Sequence, residues 1–152
     1  MDHDNIDILD VNLDLAGVDT SMPRLEPGTY AMSIASVSIK PNKAGTGRNM
    51  QVEFATTSQA NSTKGNTIHE GYKISKYYPL QQSENANAPD FKRDICILID
   101  AVFGTTQETR PALNSETINS MKGKIVDVIV GVSTSDQYGE SNEVKRIKSH
   151  AE

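Results

Sequence analysis

The alternation of apolar side chains over Gly28–Ser58 constrains the fold of this chain more than any other feature. Apolar residues keep one parity as far as Ile34 and take the opposite parity from Val37 onward, so the first strand slips by one residue near Ala35 and Ser36. Such a slip is typical of a β-bulge, which bends a strand enough to help close a small barrel. The pattern therefore predicts a strongly bent first strand in a β-hairpin.

The second strand of this hairpin follows a loop that combines glycines with positive charge. Met50, Val52 and Phe54 alternate with polar residues, which is the pattern of a strand with one buried face. Glycines and basic side chains make up most of the turn, at Lys40, Lys43, Gly45, Gly47 and Arg48. We expect this loop to contact phosphate groups from a β scaffold.

Further segments complete the predicted secondary structure. They are a strand over residues 67–79, a helix near 90–103, a short helix over 114–121, and strands over 125–132 and 143–148 separated by a loop over 133–142. The order of strands around the first helix is that of the OB-fold, a five-stranded, partly open barrel. The prediction is a mainly β chain, with an OB-fold barrel over residues 28–150 and an acidic N-terminal arm over residues 1–27.

The helices are predicted from apolar spacing and from signals at their ends. Asp90 is suited to accept hydrogen bonds from the first free N–H groups of the first helix, and Gly104 is suited to end it. Asn114 or Ser115 is expected to begin the second helix. The stripe Phe91, Ile95, Leu98, Ile99 and Val102 marks the buried side of the first helix. Cys96 lies within this pattern and is expected to be inert core.

Charge is divided unevenly along the chain. Residues 1–27 contain seven acidic side chains and one arginine, whereas the rest contains 14 basic and 13 acidic side chains, within a total net charge of -5. Apolar residues such as Ile8 and Leu13 interleave with the aspartates of this arm. The asymmetry predicts an arm with its own role, lying against the body or against a neighbouring molecule.

Several classes of protein do not fit this sequence. No apolar run approaches the roughly 18 residues of a membrane helix, and the first residues lack the basic start and apolar centre of a signal peptide, so a cytoplasmic location is expected. A single cysteine excludes an internal disulfide framework. The three histidines have no metal-site spacing, and no HExxH, CxxC, Walker A or GxSxG pattern occurs. We expect no enzymatic activity, metal or cofactor.

An OB-fold would bring the basic and aromatic side chains of three segments together. Single-stranded DNA is held by cations that follow its phosphates and by aromatic faces on which its bases stack. In OB-folds the ligand crosses strands two and three between the first and last hairpin loops. The candidate DNA-binding residues are Lys40, Lys43, Arg48, Tyr72, Lys73, Lys76, Tyr77, Tyr78, Tyr138, Lys145 and Arg146.

Each candidate also has a simpler interpretation. A single lysine is commonly a solvated surface charge, and Tyr30 and Tyr72 can be core residues whose hydroxyls reach the surface. Tyr77 and Tyr78 are consecutive, so in a strand they point to opposite faces and at most one can lie on a binding face. The prediction depends on the coincidence of the three segments and not on any single residue.

Three stretches of the chain carry a family resemblance. They are LDLAGVDTSMPRLEPGTY, the basic hairpin KPNKAGTGRNMQVEF and the C-terminal DQYGESNEVKR, with a weaker match through residues 77–112. The first contains the pattern VDTS-x-P-x-L-x-x-G-x-Y, and the last contains YG-x-x-N-x-V-x-R. In these stretches the chain resembles a family of phage-encoded OB-fold single-stranded-DNA-binding proteins.

The resemblance implies binding of single-stranded DNA without base specificity during phage DNA replication or recombination, in the cytoplasm of the host bacterium. The contacts that it implies are Lys40, Lys43, Arg48, Tyr138, Lys145 and Arg146. One feature departs from the wider class. Many single-stranded-DNA-binding proteins carry an acidic, protein-recruiting tail at the C-terminus, whereas the acidic segment of this chain is N-terminal.

Two functions from different classes follow. The leading hypothesis is a non-enzymatic single-stranded-DNA-binding protein whose cations neutralise phosphates and whose tyrosines stack on bases. The alternative is a protein-binding module, such as a replisome or virion adaptor, that does not bind DNA. The arm is expected to compete with DNA for the basic groove or to dock a partner, either a replication or recombination protein or a second copy of the chain. No membrane partner is expected.

Overall fold

The computed structural model describes residues 11–17, 23–82, 87–136 and 139–150. In chain order these residues form β1 (Gly28–Pro41), β2 (Arg48–Thr56), β3 (Ala60–Asn61), β4 (Thr67–Ile68), β5 (Lys73–Pro79), α1 (Lys92–Phe103), α2 (Ser115–Met121), β6 (Ile125–Ser135) and β7 (Gly139–Ser149). The mainly β character of the chain is confirmed.

Five of the strands form one antiparallel sheet in the order β5-β2-β1-β6-β7. One face of this sheet is apolar because alternate residues of the inner strands are hydrophobic, and it buries Met32, Val52, Phe54, Val126 and Val128 completely. β3 and β4 pair with each other in a separate two-stranded ribbon. The core therefore lies on one side of the large sheet, and the other side is free to carry polar residues.

β1 contains the register shift that the sequence predicts. Ile34 lies across from Phe54, but the next paired residue, Ser36, lies across from Glu53, so Ala35 is the extra residue of a bulge. Residues 28–33 pair with β6, and residues 32–41 pair with β2. A bulge bends a strand and increases its twist. The bend allows the first half of β1 to pair with β6 and the second half to pair with β2. This prediction is confirmed.

The strand predicted over residues 67–79 is two strands, and the prediction of a continuous one is wrong. β4 ends at Ile68 and β5 begins at Lys73. Between them Gly71 has a φ of 91°, a conformation that favours glycine, and its N–H donates to the Thr56 carbonyl at 2.8 Å. The turn separates β4, which pairs with β3, from β5, which pairs with β2.

The last hairpin has longer strands than the sequence predicts. β6 continues to Ser135 and β7 begins at Gly139, whereas the pattern predicts a loop over 133–142. Ser133 lies across from Ser141, and their hydroxyl oxygens are 3.0 Å apart. Small polar residues sustain exposed strands here because the pairing satisfies backbone N–H and C=O groups whatever the side chains are.

The two helices begin and end close to their predicted positions. The Asp90 carboxylate accepts from the Lys92 N–H at 3.0 Å before α1, and Asn114 Oδ1 accepts from the Thr117 N–H at 2.9 Å at the start of α2. Gly104 ends α1 with a φ of 66°.

The apolar stripe of α1 is also confirmed. Ile95, Leu98 and Ile99 are buried, and Phe91 and Val102 pack half-buried against the same core. Cys96 is a free, half-buried thiol beside this stripe.

Residues 23–27, just before β1, lie on the body. Leu25 is fully buried and forms a β-bridge with Ser62. Its N–H donates to Asn142 Oδ1 at 2.8 Å, and Asn142 Nδ2 donates to its carbonyl at 3.0 Å. The contact between the N-terminal segment and the body extends back to Pro23, whose carbonyl oxygen accepts from the Tyr72 hydroxyl, whereas residues 11–17 are exposed.

β5 and β7 are the two edges of the large sheet. They approach each other in space, and α1 packs against β7. Within the described ranges no strand pairing joins β5 to β7, so the sheet is not closed and the predicted OB-fold barrel is not confirmed. Among the helices of these ranges, none is long and apolar enough to cross a membrane.

Candidate nucleic-acid interface

The side of β1, β2 and β5 that faces away from the core is polar. Register decides which residues belong to it, because paired residues of an antiparallel sheet leave the sheet on the same side. Met50 and Phe54 are buried, so the intervening Gln51 points outward together with its partners on both neighbouring strands. This surface, termed the outer face, contains Ser36, Ser38, Lys40, Asn49, Gln51, Glu53, Lys73, Ser75 and Tyr77.

Tyr77 is the aromatic residue of the outer face. It lies across from Gln51, which lies across from Ser38, so the ring stands at the end of a polar row. The side chain is 57% exposed. An exposed aromatic face can stack on a nucleic-acid base, a contact worth about 1 to 3 kcal/mol. The geometry of this position therefore suits base stacking.

Basic side chains lie on both sides of Tyr77. Lys40 pairs with Asn49, which pairs with Pro79, and these three outward-facing residues form the row next to that of Tyr77. Lys40 is on β1, about 10 Å across the sheet from β5. Lys73 lies four residues from Tyr77 on the same strand, about 13 Å away. Both lysines are exposed. A strand whose base stacks on Tyr77 would therefore have a cation near its backbone in either direction.

Two further cations, Lys43 in the β1–β2 loop and Arg48 at the start of β2, lie at the end of the sheet next to Lys40, where Arg48 has the inward parity of Met50. The Asn42 N–H donates to the Gly47 carbonyl at 2.9 Å, and Asn42 Oδ1 accepts from the Thr46 N–H at 3.0 Å. This hydrogen-bonded turn carries Lys43 and leads into Arg48, and both side chains are exposed. Neither forms an ion pair with another described residue, so both charges can meet phosphate.

Glu53 is the acidic residue of the outer face. It lies in the row with Ser75 and Ser36, and its carboxylate accepts a hydrogen bond from the Ser36 hydroxyl. This row separates Tyr77 from Lys73. A carboxylate repels phosphate, so the half of the outer face nearer the β1–β2 loop, with Tyr77 and Lys40, is the more favourable path for a nucleic acid.

The prediction that Tyr78 stacks on a base is wrong. It lies across from Met50 on the inner side of the sheet and is 1% exposed. Burial, with a smaller contribution from the nearby Asp94 carboxylate, raises the pKa of its hydroxyl. A ring enclosed by the core has no free face, so of the two consecutive tyrosines only Tyr77 is available for stacking.

Tyr72 packs against the core and forms hydrogen bonds through its hydroxyl, so its ring is not free to stack on a base. It is half-buried against the core, and its hydroxyl is 3.0 Å from Asn142 Oδ1 and 3.3 Å from the Pro23 carbonyl oxygen. Asn142 also holds Leu25. Tyr72 therefore helps to fix residues 23–25 on the sheet, and the structure gives it no place on the outer face.

Four predicted residues that the structure describes, Lys76, Tyr78, Lys145 and Arg146, belong to a second surface. Between β5 and β7, beside α1, lies a cavity of about 380 Å³. This cavity, termed the seam cleft, is lined by Lys76, Tyr78, Arg93, Asp94, Ile97, Val144, Lys145, Arg146 and Ile147. Lys76 lies across from Val52 on the inner side of β5, so it is separated from Tyr77 by the sheet. The predicted single site is thus divided between two surfaces.

Gln51 and Arg93 are among the residues of these surfaces that sequence reasoning did not predict as contacts. Gln51 belongs to the outer face because it faces Tyr77 across the sheet, and the alternation of β2 could have indicated it. Arg93 belongs to the seam cleft because the first turn of α1 lies beside β7. No local signal identifies Arg93, since its position depends on how the helix docks.

One predicted contact, Tyr138, lies outside the described residues. Over the ranges that the structure covers, no group of three or more histidine, cysteine or carboxylate side chains is arranged to hold a metal ion. No protein-family model matches this chain, and a search of curated proteins finds no match either.

Proposed function

We propose that this protein binds single-stranded DNA without base specificity through the outer face and the β1–β2 loop. The observation that carries the proposal is the exposed ring of Tyr77 in a polar row, between Lys40 and Lys73 on the outer face, with Lys43 and Arg48 at the end of the sheet nearer to Lys40. Proteins that bind single strands combine aromatic stacking with a path of cations. Binding of this kind requires no catalytic group.

The strand order supports an OB-fold as the scaffold for this function. In the sheet β5-β2-β1-β6-β7 the long strands follow the OB-fold order, and the main helix lies between the third and fourth of them. The approach of β5 to β7 is consistent with a partly open barrel. The resemblance of three stretches to phage single-stranded-DNA-binding proteins supports a role in phage DNA replication or recombination.

A titration of labelled oligo(dT) with the full chain tests the proposal. The affinity is expected to fall with salt, with a log-log slope of about -0.7 for each phosphate contacted. Duplex DNA of the same length serves as the control and is expected to bind more weakly, because its bases cannot stack on Tyr77. Absence of binding to oligo(dT) at micromolar protein and low salt would contradict the proposal.

A second function, docking of a protein partner, is favoured by the described part of the arm. Val11, Leu13 and Leu15 are 60%, 73% and 70% exposed and occupy alternate positions. Exposed apolar side chains of this size commonly mark contact surfaces when they are adjacent. A complex with a replication protein that persists in excess oligo(dT), and that Leu13→Asp with Leu15→Asp abolishes, would support this second function.

A further inference from the structure

We propose that the seam cleft binds a phosphoryl group, at a site separate from the outer face. The chemical class of ligand is a phosphate ester or an inorganic polyphosphate. This inference concerns the inner side of β5 and does not require the proposed function to be correct.

The position of the seam cleft follows from the open edge of the sheet. β5 and β7 approach without pairing, and α1 lies beside them. The resulting cavity of about 380 Å³ is large enough for a phosphate or pyrophosphate ion. Its size therefore points to a small ligand or to the end of a larger one.

The charge of the seam cleft is positive. Lys76, Arg93 and Arg146 line it and form no ion pair with another described residue. Lys145 also lines it, but its ammonium lies 2.8 Å from the Glu143 carboxylate. Asp94 is the one acidic residue of the lining. Three uncompensated cations against one carboxylate leave a net attraction for an anion.

The arrangement of these cations suits phosphate. Guanidinium groups present planar forks of N–H donors that match the oxygens of a phosphate. Arg93 comes from the first turn of α1 and Arg146 from β7, so the two approach the cavity from different elements. A tetrahedral anion can use donors that converge from several directions, whereas a planar carboxylate offers only two oxygens.

The buried hydroxyl of Tyr78 is a second, independent reason to expect a ligand in the seam cleft. Its hydroxyl is buried, and within the described residues it has no hydrogen-bond partner. A buried donor without a partner is unfavourable, and this one belongs to a side chain that lines the cavity. The Lys76 ammonium lies 5.5 Å from the centre of the Tyr78 ring. The hydroxyl is closed to solvent in this structure, so it donates to a phosphoryl oxygen only when the anion draws Lys76 away from the ring.

Calorimetric titration of the full chain with pyrophosphate at low ionic strength tests this site. We expect binding that weakens about tenfold or more in Arg93→Gln and in Arg146→Gln, because each removes a charge-assisted hydrogen bond. Lys122→Gln, an exposed lysine beyond α2, is the matched control and should leave the affinity unchanged. Tyr78→Phe should weaken pyrophosphate binding severalfold without lowering the melting temperature, since it removes an unpaired hydroxyl.

Short oligo(dT) with and without a 5′-phosphate distinguishes the sources of the phosphoryl group. If the ligand is a DNA end, the phosphorylated oligonucleotide binds more tightly than its 5′-hydroxyl form, and Arg93→Gln removes that difference. If the ligand is free pyrophosphate, the two oligonucleotides bind alike while pyrophosphate still binds. Failure of the wild-type chain to bind pyrophosphate, or binding that neither arginine substitution weakens, would overturn the proposal.

Failure of phosphoryl binding in the seam cleft can be distinguished from failure of DNA binding on the outer face. Tyr77→Ala alters the outer face alone and should leave pyrophosphate binding unchanged. Conversely, a chain that binds pyrophosphate but not unphosphorylated oligo(dT) retains the seam cleft as a site while contradicting DNA binding on the outer face.

Discussion

Tyr77 of β5 lies directly across from Gln51 of β2, and both side chains leave the sheet on the side opposite the buried Met50 and Phe54. This pairing places the exposed ring on a polar surface and not in the core. The ring is therefore not needed for folding, and its removal separates binding from stability.

Tyr77→Ala is expected to weaken binding of oligo(dT) about 5- to 150-fold, because a stacked base contributes about 1 to 3 kcal/mol. The melting temperature should change little, since the side chain is 57% exposed. Fluorescence anisotropy gives the affinity and calorimetry the melting temperature. Tyr77→Phe keeps the aromatic face and should keep most of the affinity. Equal weakening in both variants would show that the hydroxyl, and not stacking, is responsible.

Leu25→Ala is expected to destabilise the fold by about 2 to 5 kcal/mol, because it leaves a cavity where a fully buried leucine packs. Denaturant unfolding followed by circular dichroism measures the change. Leu13→Ala is the matched control, since Leu13 is 73% exposed and such a change is usually worth less than about 0.5 kcal/mol. Equal stability of the two variants would contradict the packing of residues 23–27 on the sheet.

The ion pair between Asp100 and Arg110 makes the stability of the fold depend on pH in the acid range. Arg110 donates to the Asp100 carboxylate at 3.0 Å and 2.7 Å, and these hydrogen bonds hold the pKa of Asp100 below its ordinary value of 3.8. A lowered pKa stabilises the fold above that ordinary value, and the contribution is lost as pH falls through the lowered pKa.

We therefore expect Asp100→Asn to melt at a lower temperature than the wild-type chain at neutral pH. The difference should shrink at acid pH, where the wild-type carboxyl becomes protonated. The effect should be small because the pair is partly exposed. Glu108→Gln, on the exposed linker after α1, is the control and should melt close to the wild-type temperature at neutral pH.

Deletion of residues 1–20 is expected to raise the affinity for oligo(dT) at low salt, because the acidic arm then no longer competes for the cations. The gain should disappear at high salt, where exposed charges are screened beyond a few ångströms. The comparison uses the same anisotropy titration at two salt concentrations. An unchanged affinity at low salt would leave docking of a partner as the role of the arm.

Local patterns in the sequence predicted much of the fold. The change of parity between Ile34 and Val37 identified the bulge, because the two-residue period of a strand makes a one-residue slip visible. The helix-capping role of Asn114 and the apolar stripe of α1 were also visible, since both depend on neighbours within a few residues.

Features that depend on long-range packing could not be predicted in this way. The break at Gly71 arises because β4 and β5 pair with different strands, and a glycine alone does not reveal that choice. Asn142 holds Leu25 across 117 residues of chain, which no local pattern encodes.

The same limit applies to the candidate site. Alternation placed Tyr77 and Tyr78 on opposite faces but did not show which face is buried. The sheet separates Lys76 from Tyr77, and the approach of α1 and β7 to the inner side of β5 gathers Lys76, Lys145 and Arg146 into the seam cleft.

The salt dependence of oligo(dT) binding, compared between the wild-type chain and Lys43→Glu with Arg48→Glu, tests the central claim most directly. The wild-type affinity should fall linearly on a log-log plot, and the double variant should bind more weakly with a shallower slope, because fewer phosphates are neutralised. The melting temperature of the double variant should stay nearly unchanged. Lys122→Glu with Lys124→Glu, which changes the net charge by the same amount elsewhere on the surface, is the control. Wild-type binding that is absent, or a double variant that binds with the wild-type affinity and slope, would contradict DNA binding by the outer face and its loop.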